Sequence, residues 1–161
     1  MRNCVHSSAV VGLLIVLGVG RAAGPAQEAI PVDLKSFKFK VKPEMESLFG
    51  YNEGEDKLFF YTNGPAEATV KIGADGEYVV SVKASCDSAK DERAKFKVSI
   101  DGQAVGKETL LVADEEKEYK LTAKLKAGDR KLVIAFTNDV YKESEYDRNL
   151  YVHAVRLTPV K

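Results

Sequence analysis

Residues 136–152 read FTNDVYKESEYDRNLYV and join two predicted strands, 131–137 and 150–158. The connection 138–149 is rich in side-chain oxygen, and calcium takes about six to eight oxygen ligands from carboxylates, amides, backbone carbonyls and water. Strands on both sides would fix the ends of the loop, and a hairpin-like closure would bring Asp139 and Asp147 together. We therefore predict a metal site formed by Asp139, Asp147, Asn138 and the backbone carbonyl of Tyr146.

A solvated connection is the alternative interpretation of the same residues. Asn, Asp, Glu and Lys are common in exposed loops, where their side chains satisfy the backbone of turns. Residue types alone also leave the metal ligands open, because Glu143 or Glu145 could replace either aspartate.

The rest of the chain favours an all-β fold. Strand-length segments with alternating apolar residues recur about every 10 to 12 residues, separated by turn signals, and no window keeps a helical period. Eight or nine strands fit the length, which predicts an antiparallel β-sandwich of jelly-roll type. Residues 44–161 form this domain, and residues 27–43 form an arm or edge strand in which Phe37, Phe39 and Val41 alternate with lysines. Cys86, at the end of an alternating run, is expected to be buried.

The N-terminus has the pattern of a secretory signal peptide, with a basic start, a short apolar run and then small residues. We predict that residues 1–26 are the signal and that cleavage follows Ala26; a retained anchor is the alternative. This predicts a secreted, periplasmic or cell-surface protein with no stable membrane insertion after cleavage. With 24 basic and 24 acidic residues, the chain has no basic excess to favour nucleic acid.

Two motifs, TNDVY and DRNLYV, give the chain a family resemblance. Together they resemble the C-terminal signature of the calcium-dependent, xylan-binding carbohydrate-binding modules of families 36 and 60. A weaker likeness extends upstream through FFYTNG, DGEYVVSVKA, FKVSIDGQAVG and LKAGDRKLVIAF. The resemblance implies a jelly-roll β-sandwich, calcium as cofactor, and xylan or a related β-glycan as ligand.

It also implies roles for individual residues. Asp139 and Asp147 would hold the ion that grips adjacent sugar hydroxyls, and Tyr141 or Tyr146 would stack on the sugar, since the chain has no tryptophan. Arg148 and Asn149 would organise the loop from outside the ligand shell, with Arg148 pairing with a carboxylate.

A second, structural calcium is in doubt. In the resembling modules an acidic residue commonly follows Leu-Tyr-Val and serves that ion, whereas this chain has His153. Weak candidates for a second site near the start of the domain are Glu44, Glu46, Glu53 and Glu55.

The sequence offers little for catalysis. Beyond the signal segment it has one histidine, His153, and it lacks a nucleophile elbow, a phosphate loop and zinc-type spacing. We therefore expect a non-catalytic module that binds polysaccharide. A separate glycan-active enzyme is expected as a further partner. The alternatives are a secreted β-sandwich that acts in protein contacts or envelope assembly, and an unrecognised hydrolase.

Overall fold

The computed structural model describes residues 28–160. The predicted signal peptide, residues 1–26, lies outside the described residues and stays a prediction. No helix within 28–160 has the length and apolar character needed to cross a membrane.

Within this range the chain forms fourteen strands and two short 3-10 helices. The strands are β1 Ile30–Val32, β2 Lys38–Phe39, β3 Phe49–Asn52, β4 Lys57–Phe60, β5 Gly64–Ile72, β6 Gly76–Asp87, β7 Lys95–Ile100, β8 Gln103–Ala104, β9 Thr109–Leu110, β10 Lys117–Leu125, β11 Gly128–Phe136, β12 Tyr141–Lys142, β13 Tyr146–Asp147 and β14 Asn149–Pro159. The helical turns span Leu34–Ser36 and Pro43–Leu48.

Two antiparallel sheets make up the fold. One has the strand order β10-β6-β14-β4-β3, with β1 also paired to β14. The other has the order β2-β5-β11-β7-β8, with β9 also paired to β7. The predicted all-β sandwich is confirmed, and the loop 138–149 carries a separate small hairpin of β12 and β13.

The core forms where the alternating patterns predict it. On β6 the side chains of Tyr78, Val80 and Val82 are buried, and the facing sheet contributes Leu132 and Ile134 of β11. These residues leave the polar members of each strand in solvent, which is the pattern of two sheets packed face to face. Cys86 is also buried, as expected.

The N-terminal segment is more closely integrated than an arm. Strand β1 joins one sheet and β2 joins the other, so residues before position 43 contribute to both layers. The strand predicted over 36–42 shrinks to the two residues of β2. The preceding helical turn is the reason, since the Asp33 carboxylate caps it by accepting from the Lys35 amide, 3.0 Å away.

Two other segments differ from what the sequence predicts. The acidic, glycine-containing segment 44–55 predicts a loop with one helical turn, but residues 49–52 form β3 against β4. The turn at Asp101-Gly102 predicts a return strand over residues 103–112, which the structure splits into β8 and β9. Gly106 lies between them at φ +71°, a left-handed conformation that interrupts the extended chain.

His153 is the extra residue of a β-bulge. The register between β14 and β6 shifts between Val152 and Ala154, so Val152 and Val155 both point into the core. Simple alternation along residues 150–158 predicts that His153 is in register with Tyr151, Val155 and Leu157, and the bulge makes this prediction wrong for Val155 and Leu157. A bulge inserts one residue and reverses the side-chain alternation beyond it.

Gly64 lies against the ring of Phe49, and a Cβ at this position would come within 2.6 Å of two ring atoms. Because Phe49 is buried in an aromatic cluster, it has little room to move. We expect Gly64→Ala to lower the free energy of unfolding by about 1–3 kcal/mol, measured by urea denaturation. Gly73→Ala, where no atom lies within 4 Å, is the matched control and should cost far less; equal losses would contradict the packing explanation.

Candidate glycan and metal site

The loop 138–149 closes as a hairpin at the end of the sandwich. Strands β12 and β13 pair antiparallel, with Tyr141 opposite Asp147. This pairing brings the part of the loop that follows β11 next to the part that enters β14. Asp139 and Asp147, the two predicted carboxylates, both line one cavity beside the hairpin.

Beside this hairpin lies a cavity of about 690 Å³. Its wall combines aromatic rings with a small group of oxygen-bearing side chains. The lining residues are Leu48, Tyr61, Thr62, Asp139, Tyr141, Asp147, Asn149 and Tyr151.

Asp139 is held from two sides by residues that follow β4. Its Oδ2 accepts a hydrogen bond from the Thr62 hydroxyl at 2.9 Å, and its backbone N–H donates to Asn63 Oδ1 at 2.8 Å. The other carboxylate oxygen, Oδ1, is buried and has no hydrogen-bond partner. Burial, and then the charge of Asp147, raise the pKa of Asp139, although the Thr62 hydrogen bond opposes them.

Asn149 connects two carboxylates. Its Nδ2 donates to Asp147 Oδ2 and to Asp87 Oδ2, each at 3.0 Å. These two bonds fix the orientation of the amide, since only nitrogen can donate. Asn149 Oδ1 is therefore buried and has no hydrogen-bond partner. Asp147 Oδ1 is also buried and has no partner.

One cavity therefore receives three buried oxygens that no donor satisfies, from Asp139, Asp147 and Asn149. Leaving such groups unpaired is costly. A hard cation would satisfy all three at once, since carboxylate and amide oxygens are the ligands that calcium takes. Nowhere in residues 28–160 do three or more His, Cys, Asp or Glu side chains group as metal ligands, so the donor set here is two carboxylates and an amide.

Arg148 organises the loop, but not by the predicted pairing. It is buried and donates to the backbone carbonyls of Ala89, Glu92 and Asn138. Its ionic partner is the Glu92 carboxylate at 3.4 Å, and not a carboxylate of the cavity. Arginine suits this task because its planar fork directs several donors at once.

Asn138 and Tyr146 are not brought to the cavity. The side chain of Asn138 accepts from the Lys95 amide at 2.6 Å and donates to the Arg93 carbonyl at 2.9 Å, so it ties the loop to β7. The ring of Tyr146 lies 4.5 Å from Lys90 Nζ. The role of the Tyr146 carbonyl stays a prediction.

The loop glutamates lie outside the site. Glu143 is exposed, and Glu145 pairs with Lys142. Of the candidates for a second ion, Glu53 pairs with Lys35 and Glu55 with Lys57. These ion pairs already balance the charge of both glutamates.

Sequence reasoning missed the residues that complete the wall. Tyr61 and Thr62 follow β4, and Thr62 lies 77 residues before its partner Asp139. Tyr61 and Tyr151 meet edge to face at 6.3 Å. The Tyr151 hydroxyl donates to Asp87 Oδ2 at 2.7 Å, and burial followed by this hydrogen bond raises its pKa. The pairing of β5 with β11, which ends at Gly64 opposite Phe136, brings Thr62 to Asp139, and the pairing of β4 with β14 brings Tyr61 to Tyr151.

Several solved structures with a similar architecture are carbohydrate-binding modules. A family 36 module of a multidomain xylanase from the hindgut metagenome of Trinervitermes trinervoides matches with a TM-score of 0.61 and 12% identity, over 83% of this chain and 98% of that one. A family 36 module in complex with calcium and xylotriose matches with a TM-score of 0.58 and 15% identity, over 82% and 100%. A family 35 module from Clostridium thermocellum matches with a TM-score of 0.53 and 12% identity, over 83% and 100%.

The fold and the loop site thus define a β-sandwich of the carbohydrate-binding-module class. The family model described as a calcium-dependent, xylan-binding carbohydrate-binding module, family 60, matches residues 79–161. The chain belongs to this family, which is one of binding modules. No curated protein matches the chain in sequence.

The raised pKa of Asp139 predicts how stability depends on pH without metal. In the unfolded chain this carboxyl ionises near its ordinary pKa of about 3.9, and in the folded chain at a higher pH. Its contribution to stability is therefore lost as the pH rises through these two values. In EDTA at pH 7 we expect Asp139→Asn to be at least as stable as the wild type in urea denaturation.

Lowering the pH to about 3 should remove this advantage, because the wild-type carboxyl is then protonated in both states. Asp129→Asn, a substitution at an exposed carboxylate outside the cavity, is the control and should show no such trend. An Asp139→Asn variant that loses stability at pH 7 and regains it at pH 3 would contradict this electrostatic account.

Proposed function

We propose that the chain binds xylan or a related β-glycan, without breaking it, through the loop 138–149 and with calcium as the bridging ion. The observation that carries the proposal is the convergence of three partnerless buried oxygens on one tyrosine-lined cavity. Chelation by this set also explains why the protein keeps two carboxylates so close together.

In this proposal Asp139, Asp147 and Asn149 hold the ion through their free side-chain oxygens. Calcium supplies further coordination positions, and vicinal sugar hydroxyls can occupy them in place of water. The chain itself orients the ligands, because Thr62 binds the other oxygen of Asp139, and the Asn149 nitrogen binds the other oxygen of Asp147 and the Asp87 carboxylate.

The tyrosines would grip the faces of the sugar. Tyr141 lines the cavity and is 64% exposed, and Tyr61 is 40% exposed. Rings that project into solvent offer apolar area to the C–H faces of a sugar. Tyr141 is therefore the stacking residue of the proposal, in preference to Tyr146, and Tyr61 is a second.

The family description and the calcium–xylotriose complex of a structural neighbour agree with this ligand class. Binding to polysaccharide is consistent with a protein that is secreted or displayed at the cell surface. A separate glycan-active enzyme remains the proposed functional partner.

The first test is the melting temperature in EDTA, in calcium, and in calcium with xylo-oligosaccharide. A ligand that binds only the folded state at about 100 times its dissociation constant adds about 2.7 kcal/mol of stability. We expect calcium to raise the wild-type melting temperature, and xylo-oligosaccharide to raise it further only when calcium is present.

Asp147→Ala should abolish both increments, because it removes one free oxygen of the cluster. Glu143→Ala removes an acidic side chain from the same loop but outside the cavity, and should leave both unchanged. No calcium response in the wild type would refute the metal site. A calcium response without a sugar increment would refute xylan as the ligand and favour a structural role in protein contacts.

A second test separates sugar stacking from metal binding. Tyr141→Ala should weaken retention on insoluble xylan by on the order of tenfold and leave the calcium-induced melting shift intact. Tyr146→Ala removes the same side chain from the opposite strand of the hairpin, away from the cavity, and should retain wild-type binding. Equal losses in the two variants would show that the hairpin, and not the Tyr141 ring, is what the sugar requires.

A further inference from the structure

A second group of reactive side chains lies on the outer face of the sheet that contains β14. The Ser85 hydroxyl is 2.8 Å from His153 Nε2, and His153 Nδ1 is 3.3 Å from a carboxylate oxygen of Glu116. The three residues come from β6, the bulge of β14 and the loop before β10. Neither the proposed metal site nor the core makes use of them.

We propose that Ser85, His153 and Glu116 form a relay that makes the Ser85 hydroxyl a nucleophile toward carboxylic esters, of the kind in which an acyl group is carried on a sugar hydroxyl. On a glycan this activity would rest on the proposed glycan binding, but Ser85, His153 and Glu116 include no proposed calcium ligand, so their reaction with a small soluble ester does not depend on calcium.

The contacts of His153 indicate the direction of the relay. Nδ1 lies within ion-pair distance, 3.3 Å, of the Glu116 carboxylate, and a carboxylate only accepts, so the tautomer that carries its proton on Nδ1 fits this side of the ring. Nε2 is then unprotonated and accepts from the Ser85 hydroxyl. This is the arrangement in which imidazole serves as a general base toward a serine.

The bulge is what places His153 in this arrangement. Ser85 pairs with Tyr151 and Ala84 with Val152, and the next pair is Lys83 with Ala154, so His153 has no partner in the ladder. As the extra residue, His153 lies on the outer face beside Ser85. Bulges are common next to active sites, where they redirect a side chain.

The surroundings keep the imidazole available as a base. Burial lowers the pKa of His153, the charge of Glu116 opposes that effect, and Lys57 and Lys83 lower the pKa further. A neutral ring at pH 7 can accept a proton. The charge of Glu55 raises the pKa of His153 more weakly than that of Glu116 does. Lys57 forms an ion pair with Glu55, and Lys83 forms one with Glu116.

The relay adjoins the glycan cavity. Ser85 lies directly opposite Tyr151, which lines that cavity. Lys57 Nζ lies 4.2 Å from the centre of the Tyr151 ring. The proposal therefore requires an acyl group on a bound sugar to extend from the cavity past Tyr151 to the neighbouring Ser85.

The proposed reaction has two balanced halves. Ser85 Oγ bonds to the acyl carbon while its proton moves to His153 Nε2, and the sugar oxygen then leaves and takes that proton. Water next attacks the acyl carbon of the acyl-serine while Nε2 accepts one of its protons, and the bond between the acyl carbon and Ser85 Oγ then breaks as Nε2 returns that proton to Oγ. The products are a carboxylic acid, a free sugar hydroxyl and restored Ser85.

The test uses a fluorophosphonate probe, which reacts with activated serines, and locates the adduct by peptide mass spectrometry. We expect an adduct on Ser85 that is absent from Ser85→Ala and reduced about 100-fold in rate or more in His153→Gln. Ser99→Ala, on the other sheet, is the control and should label like the wild type. A folded wild-type protein with no adduct on Ser85 would overturn the proposal.

Hydrolysis of 4-nitrophenyl acetate supplies a second readout. Glu116 acts as a positioning residue, so Glu116→Gln should slow the Ser85-dependent rate and move the acid limb of its pH profile to lower pH, because the carboxylate that raises the pKa of His153 is gone. Turnover that is unchanged in Ser85→Ala would overturn the proposal. Since calcium binding is measured separately, failure here leaves the proposed glycan site standing.

Discussion

The buried guanidinium of Arg148 is the interaction on which the shape of the loop depends. It joins three backbone carbonyls, two from the turn after β6 and one from Asn138 at the exit of β11. A buried carbonyl left unpaired costs about 1–3 kcal/mol. A side chain with fewer donors than the Arg148 guanidinium would leave some of these carbonyls unpaired and would therefore destabilise the loop. The loop is thereby fastened to the sandwich just before Asp139 and just after Asp147. This is how a rigid β scaffold can hold a long polar connection in one conformation.

The same rigidity creates an electrostatic cost that the protein does not relieve by itself. Thr62 and Asn149 each satisfy one oxygen of an aspartate and leave the other oxygen facing the cavity. Strain of this kind is found at functional sites, where the surrounding structure over-determines an unfavourable arrangement. Relief of this cost would favour calcium binding, because two carboxylates that repel each other without the ion both attract a divalent cation. The arrangement of Asp139 and Asp147 that would favour ion binding therefore lowers the stability of the ion-free fold.

Local patterns in the sequence predicted the sandwich, since alternation and turn residues are properties of adjacent positions. The same local reading located the loop and its two aspartates from the TNDVY and DRNLYV motifs. It could not show that Asn138 ties the loop to β7 while Asn149 Oδ1 is left without a partner, because the surroundings of an amide depend on residues that are distant in sequence. Thr62 and Tyr61 were out of reach for a similar reason, as only strand pairing brings them to Asp139. The bulge at His153 was also hidden, since one inserted residue leaves no mark on composition or periodicity.

The most direct measurement of the central claim is a crystal structure of the protein grown in calcium, with a second crystal grown in EDTA. The account predicts an ion bonded to Oδ1 of Asp139, Asp147 and Asn149 at about 2.3–2.6 Å, with Asn138 still tied to Arg93 and Lys95. The EDTA crystal should show the same loop without the ion. An empty cavity in calcium, or an ion held instead by Asn138 or by the loop glutamates, would contradict the account.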